Sequence, residues 1–211
     1  MSTPPPRVRT RKPPAQRSAE IFAAACALAR EGGLSTLALR AVAQRAGVAP
    51  GLVAHYGSGM DNLVAAVFSE LVANELVEVQ TWVDTGTSSA QRLALLIDTV
   101  LGGDRDDLTL VWVDAWSLGR HNPALSVAID TQMNAWHALL AEIITEGRRT
   151  GEFTTDDPDA IAWQLLGMLD GLSAHALARG TDSAPFIERL ASAAELLVGA
   201  KPGAVTTQQA G

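Results

Sequence analysis

The stretch from Leu34 to Leu63 constrains this chain more than any other. Leu39, Val42, Ala43 and Ala46 recur at the three- and four-residue spacing of one helical face, with Arg40, Gln44 and Arg45 on the other. Gly47 suits the left-handed residue that ends a helix, Val48 can turn inward, and Pro50 is pre-set for the first position of a helix predicted over Pro50 to Tyr56. Two helices crossing steeply through a turn of about four residues form a helix-turn-helix, which offers its second helix to a DNA major groove.

Charge supports that reading independently. The net charge of −7 is unevenly spread: residues 1–56 hold eight Lys and Arg against two acids, +6, and the remainder holds eight against 21, −13. Phosphate binding needs clustered positive charge, which the N-terminal end supplies. Met1 to Pro14 is basic and proline-rich, predicted to be disordered, and open to two readings: an arm that follows the DNA backbone or minor groove, and a solubilising tail.

With 47% hydrophobic residues a buried core is expected, but no apolar run reaches the roughly 18 to 20 residues of a membrane span. Ile21 to Ala29 has the flanks of a signal peptide, yet Glu20 abuts it and cleavage would fall inside a helix that the helix-turn-helix needs. The single cysteine, Cys26, cannot form an internal disulfide, which fits a reducing cytoplasm. It lies on an apolar face and reads as a small core residue.

The remaining pattern is helical throughout. A first helix is predicted over Ala15 to Glu31, and a long fourth one from Met60 or Asp61 to Trp82. Further helices follow over Ser89–Leu101, Asp106–Gly119, Pro123–Thr150 with Asn122 as cap, Pro158 to Gly180 with Asp157 as cap, and Ser183–Val198. With no strand alternation, the fold class is all-α, of about nine helices. The expected divisions are a basic arm at 1–14, a DNA-binding domain at 15–60, a ligand-binding and dimerisation domain at 61–200, and a disordered tail at 201–211. Asp104, Asp106 and Asp107 crowd a helix start, where capping accounts for them without a metal.

The residues Arg40, Val42, Ala43, Ala46, Gly47, Val48, Gly51, His55, Tyr56 and Leu63 make the helix-turn-helix resemble the TetR family of one-component repressors. Trp112 to Trp116 (WVDAW), Asn122 and Pro123, Glu146 and Gly147, Gly151 to Phe153, and Asp170 to Leu172 resemble the ligand-binding half of its betaine-pathway, choline-responsive subgroup. About residues 15–200 are covered. The family usually has Thr or Ser near Leu37 and Ala38, a hydroxyl at Ala49, Phe at Gly57 and Lys at Met60, so this chain lacks several customary groups.

For DNA the candidate readers are Pro50, Gly51, Leu52, Ala54, His55 and Tyr56, with Arg40 and Gln44 in support. An apolar surface of this kind reads thymine methyls and shape rather than guanine. The resemblance places an effector pocket between the fourth and eighth helices, which gives Trp82, Trp112, Trp116, Met133, Trp136 and Trp163 as its candidate residues, with His137 and His175 as weaker ones. Beside acids such as Glu75, Asp114 or Asp170, indole faces suit a cationic amine, although an apolar metabolite fits equally and plain core packing stays open. Gly167, Gly171, Ala174 and Ala178, with Leu190, Ala194 and Leu197, suit a homodimer face or a close internal contact.

These features imply a homodimeric, ligand-responsive repressor that binds a palindromic DNA operator and is released by a small-molecule effector. The alternative is a helical small-molecule-binding or partner-binding protein without DNA affinity, in view of Gly57 and Met60. No nucleophile elbow, zinc spacing or phosphate loop points to an enzyme, a metal or a cofactor.

Overall fold

Proline and glycine cut this chain into helices, and the computed structural model, which describes residues 13–56, 59–102 and 105–206, follows that punctuation. The helices are α1 (Pro14–Gly32), α2 (Leu39–Ala46), α3 (Pro50–Tyr56), α4 (Met60–Val83), α5 (Ser89–Leu101), α6 (Asp106–Gly119), α7 (Pro123–Thr150), α8 (Pro158–Arg179) and α9 (Ala184–Val198). Among the described residues there is no strand, and the architecture is all-α.

Polar caps fix where several helices begin. Ser88 Oγ accepts from the Gln91 N–H at 3.2 Å, Asn122 Oδ1 from Leu125 at 3.0 Å, and Asp157 Oδ1 from Ala160 at 3.0 Å. Each satisfies a backbone donor that has no partner within its own helix. The start of α5 has a second cap from far along the chain, where the Glu152 carboxylate accepts from Ser89 and Ala90. Burial opposes the charge of Glu152, but those N–H groups and the hydroxyl of Thr150 outweigh it and hold the carboxyl below its ordinary range.

The core runs continuously from end to end. In the head, α1 to α3 bury Ile21, Ala25, Ala29, Val42, Ala43 and Val53, and Gly47 closes α2 at φ 65° as its position predicts. Cys26 is half-buried against this core, and burial pushes its thiol up, away from a reactive thiolate. From the head α4 continues for 24 residues, roughly 36 Å. It buries Val67, Phe68, Val72, Glu75 and Val79 and packs on α5, α6 and α7.

A 3₁₀ turn at Leu34–Thr36 is absent from the sequence reading, since three residues leave no periodicity to detect. Here the head meets the bundle. The Ser35 N–H donates to the Asp114 carboxylate of α6 at 2.8 Å, Arg30 lies 3.5 Å from Asp107, and Asn122 Nδ2 donates to the Asp61 carbonyl at 3.1 Å. Gly33, at φ +80°, sits so close to α6 that a Cβ would overlap the Asp114 carboxylate and meet Leu110 Cγ at 3.1 Å.

The expected disordered tail needs correction over 201–206. Val205 is buried and its N–H donates to Glu195 Oε1 at 2.9 Å, so an apolar residue within a polar run pins the segment to α9. The expected arm over residues 1–12 and the last residues, 207–211, lie outside the described residues, as do Gly57 and Asp104.

Gly33→Ala should lower the stability of the folded chain by about 1 to 3 kcal/mol, through the positive φ and the overlap with α6. Urea unfolding checks this, and an unchanged midpoint would mean that α6 does not press on the head.

Candidate functional site

The α2–α3 segment of the head contributes no acid of its own, because no Asp or Glu occurs between Glu31 and Asp61. Arg40 and Gln44 on α2 are exposed, as are Pro50, Gly51, Ala54 and His55 at α3. Leu52 is half-buried and packs on the core beside Val53, which leaves Ala54 as the exposed apolar side chain of that pair. Arg45 is held in a two-pronged pair with Glu31, with one arm at 2.8 Å, which leaves Arg40 as the exposed cation of α2 outside that pair. The side chain of Tyr56 lies outside the described residues.

The second site lies inside the bundle. Trp112 and Trp116, one turn apart on α6, are joined in one cavity by Met133 and Trp136 of α7, Glu75 of α4, and Asp170 and Ser173 of α8. The cavity that these side chains enclose has a volume of only about 40 Å³, so it is a narrow slot. Phe68 meets the Trp112 ring edge-on at 5.0 Å, and Trp112 and Trp116 lie 5.7 Å apart, which fixes the indole faces. A wider cleft shares Val100, Thr109 and Ser173 with the slot and adds Arg105, Asp106 and Asp182, forming a polar mouth.

Two carboxyls line this slot, Glu75 buried and Asp170 half-buried. Burial pushes Glu75 up to about 7, offset in part by Arg105, 3.8 Å away, and by the N–H of Trp112, while Asp107 and Glu78 add to the rise. Burial alone pushes Asp170 up to about 7, and no protein group among the described residues pairs with it.

Four of the six residues expected at the pocket line this cavity: Trp112, Trp116, Met133 and Trp136. Trp82 and Trp163 do not. Trp82 is 61% exposed, two turns beyond Glu75 at the far end of α4, while Trp163 lies on the outer side of α8, stacked on His137 at 4.4 Å. His137 belongs to that outer cluster, with Asp159 at 3.3 Å, and His175 is exposed. Of the three acids, Glu75 and Asp170 reach the slot, whereas Asp114 faces the opposite way, to the head. Leu166, Leu169 and Ser173 were missed, although with Asp170 they keep the three- and four-residue spacing of one face of α8.

The expected dimer face divides. Gly167 and Gly171 are exposed, a Cβ on either would meet nothing within 4 Å, and Ala178 is exposed beyond them. Ala174 and Leu197 are half-buried. Leu190 and Ala194 require correction: both are fully buried because that side of α9 packs inward on α5 and α8, so neither can meet a second copy. Leu196, 85% exposed on α9, was not anticipated.

With these geometries in place, similarity to known proteins can be assigned to particular parts. Residues 21–67 match the model for bacterial regulatory proteins of the tetR family, and residues 89–198 match that for the C-terminal domain of BetI-type transcriptional repressors. The HTH-type transcriptional regulator BetI of Klebsiella pneumoniae is 24% identical over 150 residues, 67% of this chain and 72% of that protein. A transcriptional regulator from Saccharomonospora viridis, solved in complex with choline, has a TM-score of 0.74 at 20% identity over 83% of this chain and 94% of its own. FadR from Bacillus subtilis, solved with stearoyl-CoA, has a TM-score of 0.67 at 21% identity over 85% of this chain and 97% of its own. The structural likeness at these identities speaks for the fold.

These carboxyls set a pH dependence. Asp170 keeps in the folded state a proton that the unfolded chain loses near pH 4, so its contribution to stability falls as pH rises from about 4 to 7 and stays unfavourable above. Asp170→Asn should therefore be more stable than the parent at pH 8, by about 1 kcal/mol or more, and should flatten the decline between pH 5 and 8. Chemical unfolding at the two pH values tests this, and a variant that loses stability at pH 8 would contradict the burial of the carboxylate.

Proposed function

This chain belongs to the TetR family of bacterial transcriptional regulators, with a BetI-type C-terminal domain and no enzymatic role, and on that premise we propose that it is a homodimeric repressor released from its operator by an effector bound in the slot. The reading head, within residues 15–60, would enter a near-palindromic operator, and residues 61–200 would hold effector and partner. Arg40 and Gln44 would contact the DNA backbone, and α3 would face the bases.

The observation that carries this reading is the position of α6 between the two sites. Trp112 and Trp116 line the slot, while Leu110 and Asp114, on the opposite side of the same helix, touch the head at Gly33 and Ser35. A molecule that fits the slot better with α6 displaced favours a different tilt of the head, and operator affinity falls by the same coupling free energy. The start of α4 takes part through Asn122 and Asp61. Two carboxyls in a slot lined by three tryptophans favour a cationic effector over an acyl chain, closer to the choline of the Saccharomonospora viridis complex than to the stearoyl-CoA of FadR. Dimerisation would use Gly167, Gly171, Ala174 and Ala178 on α8 with Leu196 and Leu197 on α9, small residues that admit close helix approach beside an exposed apolar anchor.

Binding to the chain's own upstream DNA should weaken steeply with salt, and Arg40→Ala should lower it across sequences and reduce the salt slope by about one. A mobility shift series measures both, and binding that is absent or indifferent to salt would contradict the repressor reading. Asp114→Ala should leave operator binding in place and reduce the loss of that binding on adding effector. Anisotropy titrations with and without N,N-dimethylethanolamine check this, and an unchanged response would remove Asp114 from the coupling path.

A further inference from the structure

Among the described residues four buried side-chain polar atoms have no protein hydrogen-bond partner: Glu75 Oε2, Trp136 Nε1, Ser173 Oγ and Arg92 Nε. Three of the four line the one slot, and only Arg92 lies elsewhere. Glu75 and Trp136 are each 5% exposed, so bulk water does not serve them. Buried polar groups left without partners are costly, and three converging on one cavity describe a molecule that would complete them.

The chemistry of those atoms narrows what that molecule is. Resting on the reading of the slot as the effector site, we infer that the effector is a singly charged amine that keeps at least one N–H and carries a hydrogen-bond acceptor, such as a hydroxyl or ether oxygen, rather than a quaternary ammonium. The Trp136 indole N–H can only donate, so the effector must offer an acceptor. Glu75 Oε2 and the carboxylate of Asp170 can only accept when ionised, so the effector must offer at least two donors, of which a hydroxyl supplies one and an ammonium N–H the other. A quaternary nitrogen satisfies the indole faces and the charge but brings no N–H, so a single hydroxyl is the one donor left for Glu75 Oε2 and Asp170. Ser173 can donate or accept, and serves either end.

Charge sets the number of amines. Arg105 lies 3.8 Å from Glu75 and 3.5 Å from Glu78, and because Glu78 is largely exposed and solvated outside the slot, the carboxylate that Arg105 offsets within the slot is that of Glu75. Asp170 has no such neighbour among the described residues, which leaves one uncompensated negative charge for one cation. The narrowness of the slot favours a small head group held close to these atoms.

A matched set of small probes tests each part on the full chain at pH 8, above the value of about 7 to which both carboxyls are pushed, so that the ionised forms predominate. N,N-dimethylethanolamine has both N–H and hydroxyl, choline lacks the N–H, N,N-dimethylpropylamine lacks the hydroxyl, and 3,3-dimethylbutan-1-ol lacks the charge. Calorimetry with tryptophan fluorescence should rank N,N-dimethylethanolamine tightest, by about tenfold over each of the others. Choline binding equally or more tightly would overturn the N–H requirement, and N,N-dimethylpropylamine doing so would overturn the acceptor requirement, while the cationic reading stands. Equal binding of the neutral alcohol would overturn the cationic reading itself, and binding of none at millimolar concentration would overturn the effector site with it. Trp136→Phe, which keeps a ring but removes the N–H, should abolish the preference for the hydroxyl and retain the preference for the N–H. Ser173→Ala should weaken the preferred probe several-fold and serves where Trp136→Phe loses its helical circular dichroism. Full retention of the preferences in a folded Trp136→Phe, or of affinity in Ser173→Ala if that variant is the one used, would overturn the assignment of the atoms.

Discussion

The hydrogen bond from the Ser35 N–H to the Asp114 carboxylate, pressed against a glycine that has no room for a Cβ, governs how this molecule is put together. It fixes α6 against the head at the end of α1, where Arg30 and Asp107 add a second tie. An exposed ion pair contributes little by itself, but a charged acceptor on a backbone N–H next to close-packed Leu110 tolerates little displacement. On the proposed reading the head follows α6, which carries the indoles of the slot on its other side.

The slot represents the opposite physical choice. A bundle built only for stability would fill its centre with aliphatic side chains, as α7 does at Leu140, Ile143 and Ile144. Instead it buries Glu75, brings a half-buried Asp170 to the same tryptophan-lined slot, and leaves an indole N–H and a hydroxyl without protein partners. Such groups lower the stability of the ligand-free fold, and a molecule that satisfies them recovers that free energy on binding. Placing the unsatisfied groups beside the helix that sets the head makes the same binding energy available to shift the head between tilts.

Helix ends were legible because local chemistry marks them: Gly47, Asn122 with Pro123, and Asp157 with Pro158 each place a boundary that the structure keeps. Depth was not. Helical periodicity tells which side of α4 Trp82 shares with Glu75, but not that α4 outruns the slot before reaching Trp82. On α9 the apolar face of Leu190 and Ala194 reads the same whether a neighbour in the same chain or a second copy covers it, and here α5 and α8 cover it. Asp114 was visible as an acid near the aromatic pair, yet a difference of two residues from Trp112 turns it through about 200° to the other side of the helix. The short turn at Leu34–Thr36, which receives Asp114, has no periodic signal at all.

If occupancy of the slot and occupancy of the operator are two readings of one α6 position, each must weaken the other by the same factor. The most direct measurement is the affinity of N,N-dimethylethanolamine for the full chain, free and saturated with operator, set beside the operator affinity with and without the amine. The predicted result is a loss on both sides of the cycle by one common factor of about five or more. Tryptophan fluorescence reporting a filled slot while operator affinity stays unchanged would contradict the coupling of the two sites.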